Sequence, residues 1–400
     1  MTLVAADLPL PGDDARAASA ALGAIIAAEI AARGGWIPFA RYMELALYQP
    51  GLGYYAGGSH KFGDHRAGGD FLTAPELTPL FGHALARQVA QILAASAPQV
   101  IEAGAGSGRL AVDLLNGLDA LGCLPERYLI LELSGELRAR QQALLAEQAP
   151  QYADRVEWLD ALPERFSGCL VGNEVLDAMP TRVVHWNGDG GEIMEGGVGV
   201  VDGRLVASER PAHGALLEAA RALPQAAPYR SEISLAARAW VSDLSRRLEQ
   251  GAMILIDYGL PRHELYHPQR NGGTLRCHYR HRVHDDPFWF PGLSDITSHV
   301  DFTAAAEAAF DSGLEVLGYA SQSNFLLNCG IGELMSRERV GAGDTAGSAS
   351  AGAADLRARG AVNVLISPNE MGELFKVIAL GHGVPGPLLG FARGDRVHAL

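Results

Sequence analysis

The segment VIEAGAGSGRL, Val100 to Leu110, decides the reading of this chain. An apolar run ends at an acid, Glu102, and glycines follow at Gly104, Gly106 and Gly108. A helical pattern, RLAVDLLNGL, begins at once. Glycine has no Cβ and accepts positive φ, so a turn of this composition between a strand and a helix brings backbone close to a ligand. The dinucleotide fingerprint is spaced G-x-G-x-x-G and seats a pyrophosphate at the helix N-terminus. Here the spacing is G-x-G-x-G, and Glu102 stands two residues before the first glycine. An acid there repels a diphosphate and suits a cation.

S-adenosylmethionine answers that description, because it carries an ammonium and a sulfonium and no phosphate. A nicotinamide-dependent dehydrogenase is disfavoured on the same grounds. Working outward, the next strand ends in YLILELS, where Glu132 can accept both ribose hydroxyls. The same acid also fits the first turn of a helix opened by LSGEL. The third strand ends in VEWLDALP, which brings Asp160 toward the adenine amino group. The fourth ends in LVGNEVLDAMP, with Asn173, Glu174 and Asp177 at its carboxyl end. Open α/β sheets bind ligands at that end of their strands. A capped turn before Pro180 is the structural alternative.

The same alternation runs along the chain. Strands are expected at 99–103, 128–133, 155–159, 169–173, 252–257, 315–320 and 375–380, with helical patterns between many of them. That order predicts an α/β fold with a mostly parallel sheet covered on both faces. Upstream, Leu22, Ile25, Ile26 and Ile30 recur on a helical period within 15–33, closed by Gly34 and Gly35. The predicted organisation is an N-terminal helical and lid segment, 1–80, followed by a cofactor-binding domain, 81–400. Two insertions interrupt the domain. One, at about 181–231, alternates valines with glycine-rich turns and reads as antiparallel hairpins. The other, at about 261–314, is polar and aromatic and ends in a helix. The low-complexity stretch GAGDTAGSASAGAADLRARG, 341–360, reads as a mobile loop.

Bulk properties exclude several function classes. The chain has 400 residues, nearly half of them hydrophobic, which suffices for a sizeable core. A net charge of -14 argues against nucleic acid, which needs a basic stripe, and leaves a basic protein partner open. The four cysteines form no C-x-x-C pair, so neither structural zinc nor a disulfide framework is expected. The start, MTLVAADLPLPGDDARAAS, has neither a signal-peptide nor a transit-peptide pattern. No run of eighteen apolar residues escapes interruption by charge, glycine or proline, so no membrane span is expected. A cytoplasmic location is the resulting expectation. Oligomeric state is left open.

With these residues assembled, the chain resembles the MidA-like family of class I S-adenosylmethionine-dependent methyltransferases. The matching segments are RYMELALYQPGLGYY, GGDFLTAPELTPLFG, IEAGAGSGRLA, GNEVLDAMP, IDYG, GTLRCHYRHRVHDDPF, PGLSDITSHVDF and EMGELFK. They run from about Phe39 to Lys376. The loop KFGDHRAGGDF, around Asp64 to Ala67, is longer than the family's usual one. The resemblance implies a seven-stranded, Rossmann-like sheet with an antiparallel last strand. It also implies S-adenosylmethionine as cofactor and an arginine on a protein partner as acceptor, since the family's mitochondrial member methylates a complex I subunit.

An arginine acceptor makes specific demands. Its guanidinium stays protonated, with a pKa above about 12, and its nitrogen lone pairs are delocalised. Two carboxylates on the far nitrogens can fix the planar fork and localise density on the reacting nitrogen. Glu174 and Asp177 are the candidates, with Glu76 or Asp70 from the lid. In DFLTAPELTPLFG, Thr73 can cover the cofactor as part of that lid, and Thr73 with Glu76 equally fits a capping box at a helix start. His278, His281 and His284 recur every three residues before Asp285 and Asp286. They read as a hydrogen-bonded loop in preference to a metal site, since methyl transfer needs no metal. The competing functions are methylation of a small molecule or another residue, and a chaperone that binds the cofactor for stability alone.

Overall fold

The computed structural model describes residues 8–57, 73–187, 192–223, 225, 227–342 and 349–400. Asp64 to Ala67, Asp70 and Phe71 therefore lie outside the described residues. Seven strands form the continuous path of the eight-stranded central sheet: β1 (Gln99–Ala103), β2 (Arg127–Leu131), β3 (Val156–Leu159), β4 (Phe166–Asn173), β5 (Leu248–Leu260), β6 (Glu315–Ser321) and β7 (Phe375–His382). Their spatial order is β6-β7-β5-β4-β1-β2-β3. β1 to β5 pair parallel, and β7 runs antiparallel to both β5 and β6. This is the seven-stranded sheet with an antiparallel last strand that the resemblance implies.

The strand sequences explain their place. A parallel strand covered on both faces must be apolar on both. GCLVG in β4 and AMILI in β5 are continuous buried runs at the centre of the sheet. Helices Leu80–Ala95 and Arg109–Ala120 cover β1 and its neighbours with Phe81, Val89, Leu114 and Leu118, all fully buried. Each expected strand is present. β5 is longer than expected because its pairing with β4 continues past an irregularity at Leu248/Gln250.

One expectation is corrected. Helix Ala349–Ile366 occupies most of the stretch read as a mobile loop, whose residues 343–348 lie outside the described ones. Alanine is the strongest helix former, and buried Val362 and Leu365 anchor the far end of the helix in the sheet's core.

The chain divides into two compact units, drawn differently from the 1–80 and 81–400 expected above. The sheet unit comprises 72–175, 241–259 and 306–400; the other comprises 1–71, 176–240 and 260–305. The second unit thus gathers the N-terminal segment and parts of both insertions around a core that includes Leu22, Ile26, Met43, Val198 and Cys277, with a second cluster around Trp186, Leu216 and Tyr266. Its hairpin strands, Arg182–Trp186, Ile193–Val201 and Arg204–Pro211, form a five-stranded sheet with Ile37–Pro38 and Tyr229–Ile233. The tyrosines of RYMELALYQPGLGYY have structural partners here. Tyr42 donates to Pro287 O, Tyr48 to Ala178 O at 2.9 Å, and Tyr55 to Asp295 Oδ1 at 2.9 Å. Helix Asp13–Ala32 is long and apolar enough to cross a membrane, but its stripe of Leu22, Ile26 and Ile30 is buried in this core.

Candidate active site

The glycine turn follows β1 in the sheet unit. Gly104, Gly106 and Gly108 all lie in the left-handed region, at φ of 64°, 54° and 88°. That conformation strains any residue with a Cβ. Close packing adds a second requirement. A Cβ on Gly104 would stand 3.3 Å from Val175 Cγ2, and one on Gly108 would stand 3.2 Å from Gln141 Cα. The turn is tied to the next strand by Gly104 N–H donating to Leu131 O at 3.0 Å.

Within the turn, Ser107 Oγ donates to the Glu76 carboxylate and accepts Arg109 N–H at 3.2 Å. Thr73 occupies the N-cap position of the short helix Ala74–Leu77, but its side chain makes no capping bond. The expected capping box is therefore absent. Glu76 turns to the glycine loop instead of back to its own helix.

Glu132 lies just past β2 and is buried. Its Oε1 accepts Ser134 N–H at 2.9 Å and its Oε2 accepts Gln141 Nε2–H at 3.0 Å. Burial pushes its carboxyl up, and these hydrogen bonds oppose the push. Ser134 caps helix Gly135–Gln148 by accepting Leu137 N–H. Both readings of Glu132 thus describe real features of one corner: a helix start and a held carboxylate. Gln141 also donates to Gly106 O at 3.0 Å and accepts Trp158 Nε1–H at 3.0 Å.

Glu102 sits inside β1, where its Oε2 accepts Tyr128 O–H at 2.6 Å. Burial pushes its carboxyl up to about 7; the tyrosine opposes this and the charge of Glu132 adds to it. Asp160 is 91% exposed and paired with Arg138 at 2.9 Å.

The third part of the site is the end of β4. Asn173 and Ile256 are cross-strand partners, and Glu174 N–H donates to Ile256 O at 2.9 Å. Glu174 adopts φ 53°, a strained conformation for a residue with a side chain. Asn173 Nδ2–H donates to Glu174 Oε1 at 3.1 Å, while Asn173 Oδ1 is buried and accepts no hydrogen bond. Asp257 secures the turn from β5. Its Oδ2 accepts Val175 N–H at 3.1 Å and its Oδ1 accepts Tyr258 N–H at 2.9 Å.

Asp177 belongs to the other unit, where it is buried and its backbone carbonyl accepts Ser298 N–H at 3.1 Å. The histidine run folds there as a hairpin, Arg276–Tyr279 with Arg282–His284, turning through Arg280 and His281. His284 pairs with Cys277, the neighbour of His278. The strand pleat therefore sends His278 and His284 to opposite faces. His284 Nε2 meets Ser294 Oγ at 3.0 Å, and burial holds His278 down at about 4.

The structure thus gathers the glycine turn, Glu76, Glu132, Asn173 and Glu174 around the carboxyl ends of β1, β2 and β4. Sequence reasoning missed Gln141, Trp158 and Ser107 as partners. The one available signal was a glutamine on the buried stripe of its helix with Leu137 and Leu145.

Comparison with known proteins agrees with this geometry. A family described as "Putative S-adenosyl-L-methionine-dependent methyltransferase" matches residues 84–320. The mitochondrial protein arginine methyltransferase NDUFAF7 of Danio rerio is 30% identical over 89% of this chain and 85% of its own. The Mus musculus protein of that name is 30% identical over 86% and 81%. A crystal structure from Burkholderia thailandensis bound to S-adenosyl-homocysteine is 52% identical, with a TM-score of 0.92 over 98% of this chain and all of that one. These relatives correct one expectation. The curated ones are mitochondrial, so the cytoplasmic location read from the N-terminal residues does not stand. Fold, cofactor corner and relatives coincide: the chain belongs to the MidA-like family of S-adenosylmethionine-dependent methyltransferases.

Proposed function

We propose that this methyltransferase acts on an arginine side chain of a protein partner. The observation that carries the reading is Glu174, a carboxylate held at the end of a central strand in a backbone conformation that favours glycine. Strain of this kind costs about 1–3 kcal/mol and persists where the surroundings over-determine it. Here Ile256 O, Asn173 and Asp257 do so. The names of the relatives, which match most of the chain, support the same acceptor.

The residues present fit the cofactor. Cβ-free backbone at Gly104, Gly106 and Gly108 leaves room for close approach. Glu132 would accept the ribose hydroxyls with the lone pairs left after Ser134 and Gln141. The unpartnered Asn173 Oδ1 would accept a donor. When bound, S-adenosylmethionine supplies an electrophilic methyl on a sulfonium. Glu76 borders the glycine turn through Ser107, and Thr73 stands three residues before it at the N-cap of the same short helix. The Glu174 carboxylate would hold the guanidinium fork and take the proton that the reacting nitrogen loses as the N–C bond forms. Asp177, three residues on in the chain, remains the proposed second carboxylate of that grip.

The test is incubation with isotopically labelled cofactor and a protein extract, followed by mass spectrometry of the labelled residue. Labelled arginine supports the reading; label on lysine, on a small molecule or nowhere overturns it. Glu174→Gln should keep cofactor binding and lower turnover by about 10²–10³-fold, the usual cost of one removed electrostatic stabiliser. Weak cofactor binding in that variant would move Glu174 into the cofactor pocket.

A further inference from the structure

We propose that Gln141 is the positioning residue that fixes the spacing between the glycine turn and the ribose-binding carboxylate, and so sets cofactor affinity. The proposal rests on the cofactor assignment above. It starts from the side chain's bonding. Gln141 is fully buried, and both N–H donors and one lone pair of its amide oxygen are used. Nε2 donates to Gly106 O and to Glu132 Oε2, each at 3.0 Å, and Oε1 accepts Trp158 Nε1–H at 3.0 Å.

Only one orientation of the amide satisfies these partners. Flipped, it would set its oxygen against a carbonyl and a carboxylate, and its NH₂ against the indole N–H. The amide therefore acts as a rigid two-pronged donor. One prong holds the second glycine of the turn and the other holds the ribose acid. The indole fixes the prongs from β3, which places Trp158.

Packing supports the same role. A Cβ on Gly108 would lie within 3.4 Å of Gln141 Cα, Cγ and Cβ. The third glycine thus answers to Gln141 as well as to its own backbone conformation. Glu132 gains in a further way. A buried carboxylate needs hydrogen bonds to remain ionised, and Gln141 supplies the side-chain donor beside the backbone N–H groups of Ser134 and Leu133. Loss of that donor would loosen the carboxylate and raise its pKa further, and both effects weaken its hold on a ribose diol.

The experiment is calorimetric titration of the full chain with S-adenosyl-homocysteine between pH 5 and pH 9. Gln141→Ala is expected to weaken binding by about ten- to a hundredfold, the usual cost of a lost hydrogen bond to a buried charged group. Gln141→Glu keeps the shape and serves if the alanine variant fails to fold. It sets a second carboxyl against Glu132, so its binding should strengthen as pH falls and the pair comes to share a proton. The unmutated chain should show the opposite slope, weakening as Glu132 itself protonates. That reversal is a readout that a merely structural glutamine would not produce. A folded Gln141→Glu variant with the original affinity and slope would overturn the proposal, as would an equal loss at every pH. No binding by the unmutated chain would instead sink the cofactor assignment, and the proposal with it.

Discussion

Two turns in the sheet unit perform neighbouring tasks with opposite chemistry. After β1 the chain reverses through Gly104, Gly106 and Gly108, all left-handed and all free of Cβ strain. After β4 it reverses through Glu174, which adopts a similar φ of 53° with a full side chain. Val175 packs behind both: its Cγ2 lies where a Cβ on Gly104 would meet it, and near Gly172. The difference teaches what each turn is for. At the glycines no Cβ is present and the left-handed backbone is unstrained. At Glu174 the side chain stays and the strain is offset by Asp257, Asn173 and the pairing with β5.

The comparison can be broken first at the glycines. Gly108→Ala adds left-handed strain of roughly 1–2 kcal/mol and a tight contact with Gln141 worth about 1–3 kcal/mol. A stability loss of about 2–5 kcal/mol in urea unfolding, with weakened cofactor binding, is expected. An unchanged variant would mean that the turn is only a loose corner.

The next effect concerns the acid beneath the glycine turn. In the folded protein burial pushes Glu102 up to about 7, whereas an unfolded glutamate ionises near about 4.3. Below about pH 4 both states are protonated and nothing is lost. As pH rises toward 7 the unfolded chain releases its proton more readily, so the folded state loses stability until the two curves level. Glu102→Gln should therefore stabilise the protein by about 2–3 kcal/mol at pH 8 and hardly at all at pH 4. Urea unfolding at both pH values checks this. Equal effects at the two would show that burial does not hold the proton on Glu102.

The smallest effect sharpens the contrast most. Glu174→Gly should relieve the left-handed strain and raise stability by about 1 kcal/mol while abolishing methyl transfer. The expected readout is a thermal midpoint a few degrees higher with cofactor binding retained. A less stable variant would show that Glu174 holds the turn, and the functional reading of its strain would fail.

Much of the frame was legible in sequence because it depends on local rules. Buried parallel strands must be apolar throughout, and glycines at a strand–helix turn admit positive φ. These rules located the seven strands and the glycine turn that follows β1. Alanine-rich helix Ala349–Ile366 was misread because its glycines and serines mimic a loop, while the residues that anchor it lie at its far end.

Composition and spacing alone thus determined the α/β sheet and the type of cofactor. Tertiary structure decided the rest. It sent Glu76 to Ser107 instead of into a capping box, left Asp160 exposed beside Arg138, and placed Asp177 in a different unit from Glu174. It also recruited Gln141 and Trp158, which no motif marks. The physical reason is range. Backbone preference and burial pattern act over a few residues and leave a periodic trace. A hydrogen bond between distant side chains depends on where the packed elements put them, and neither partner's neighbourhood names the other.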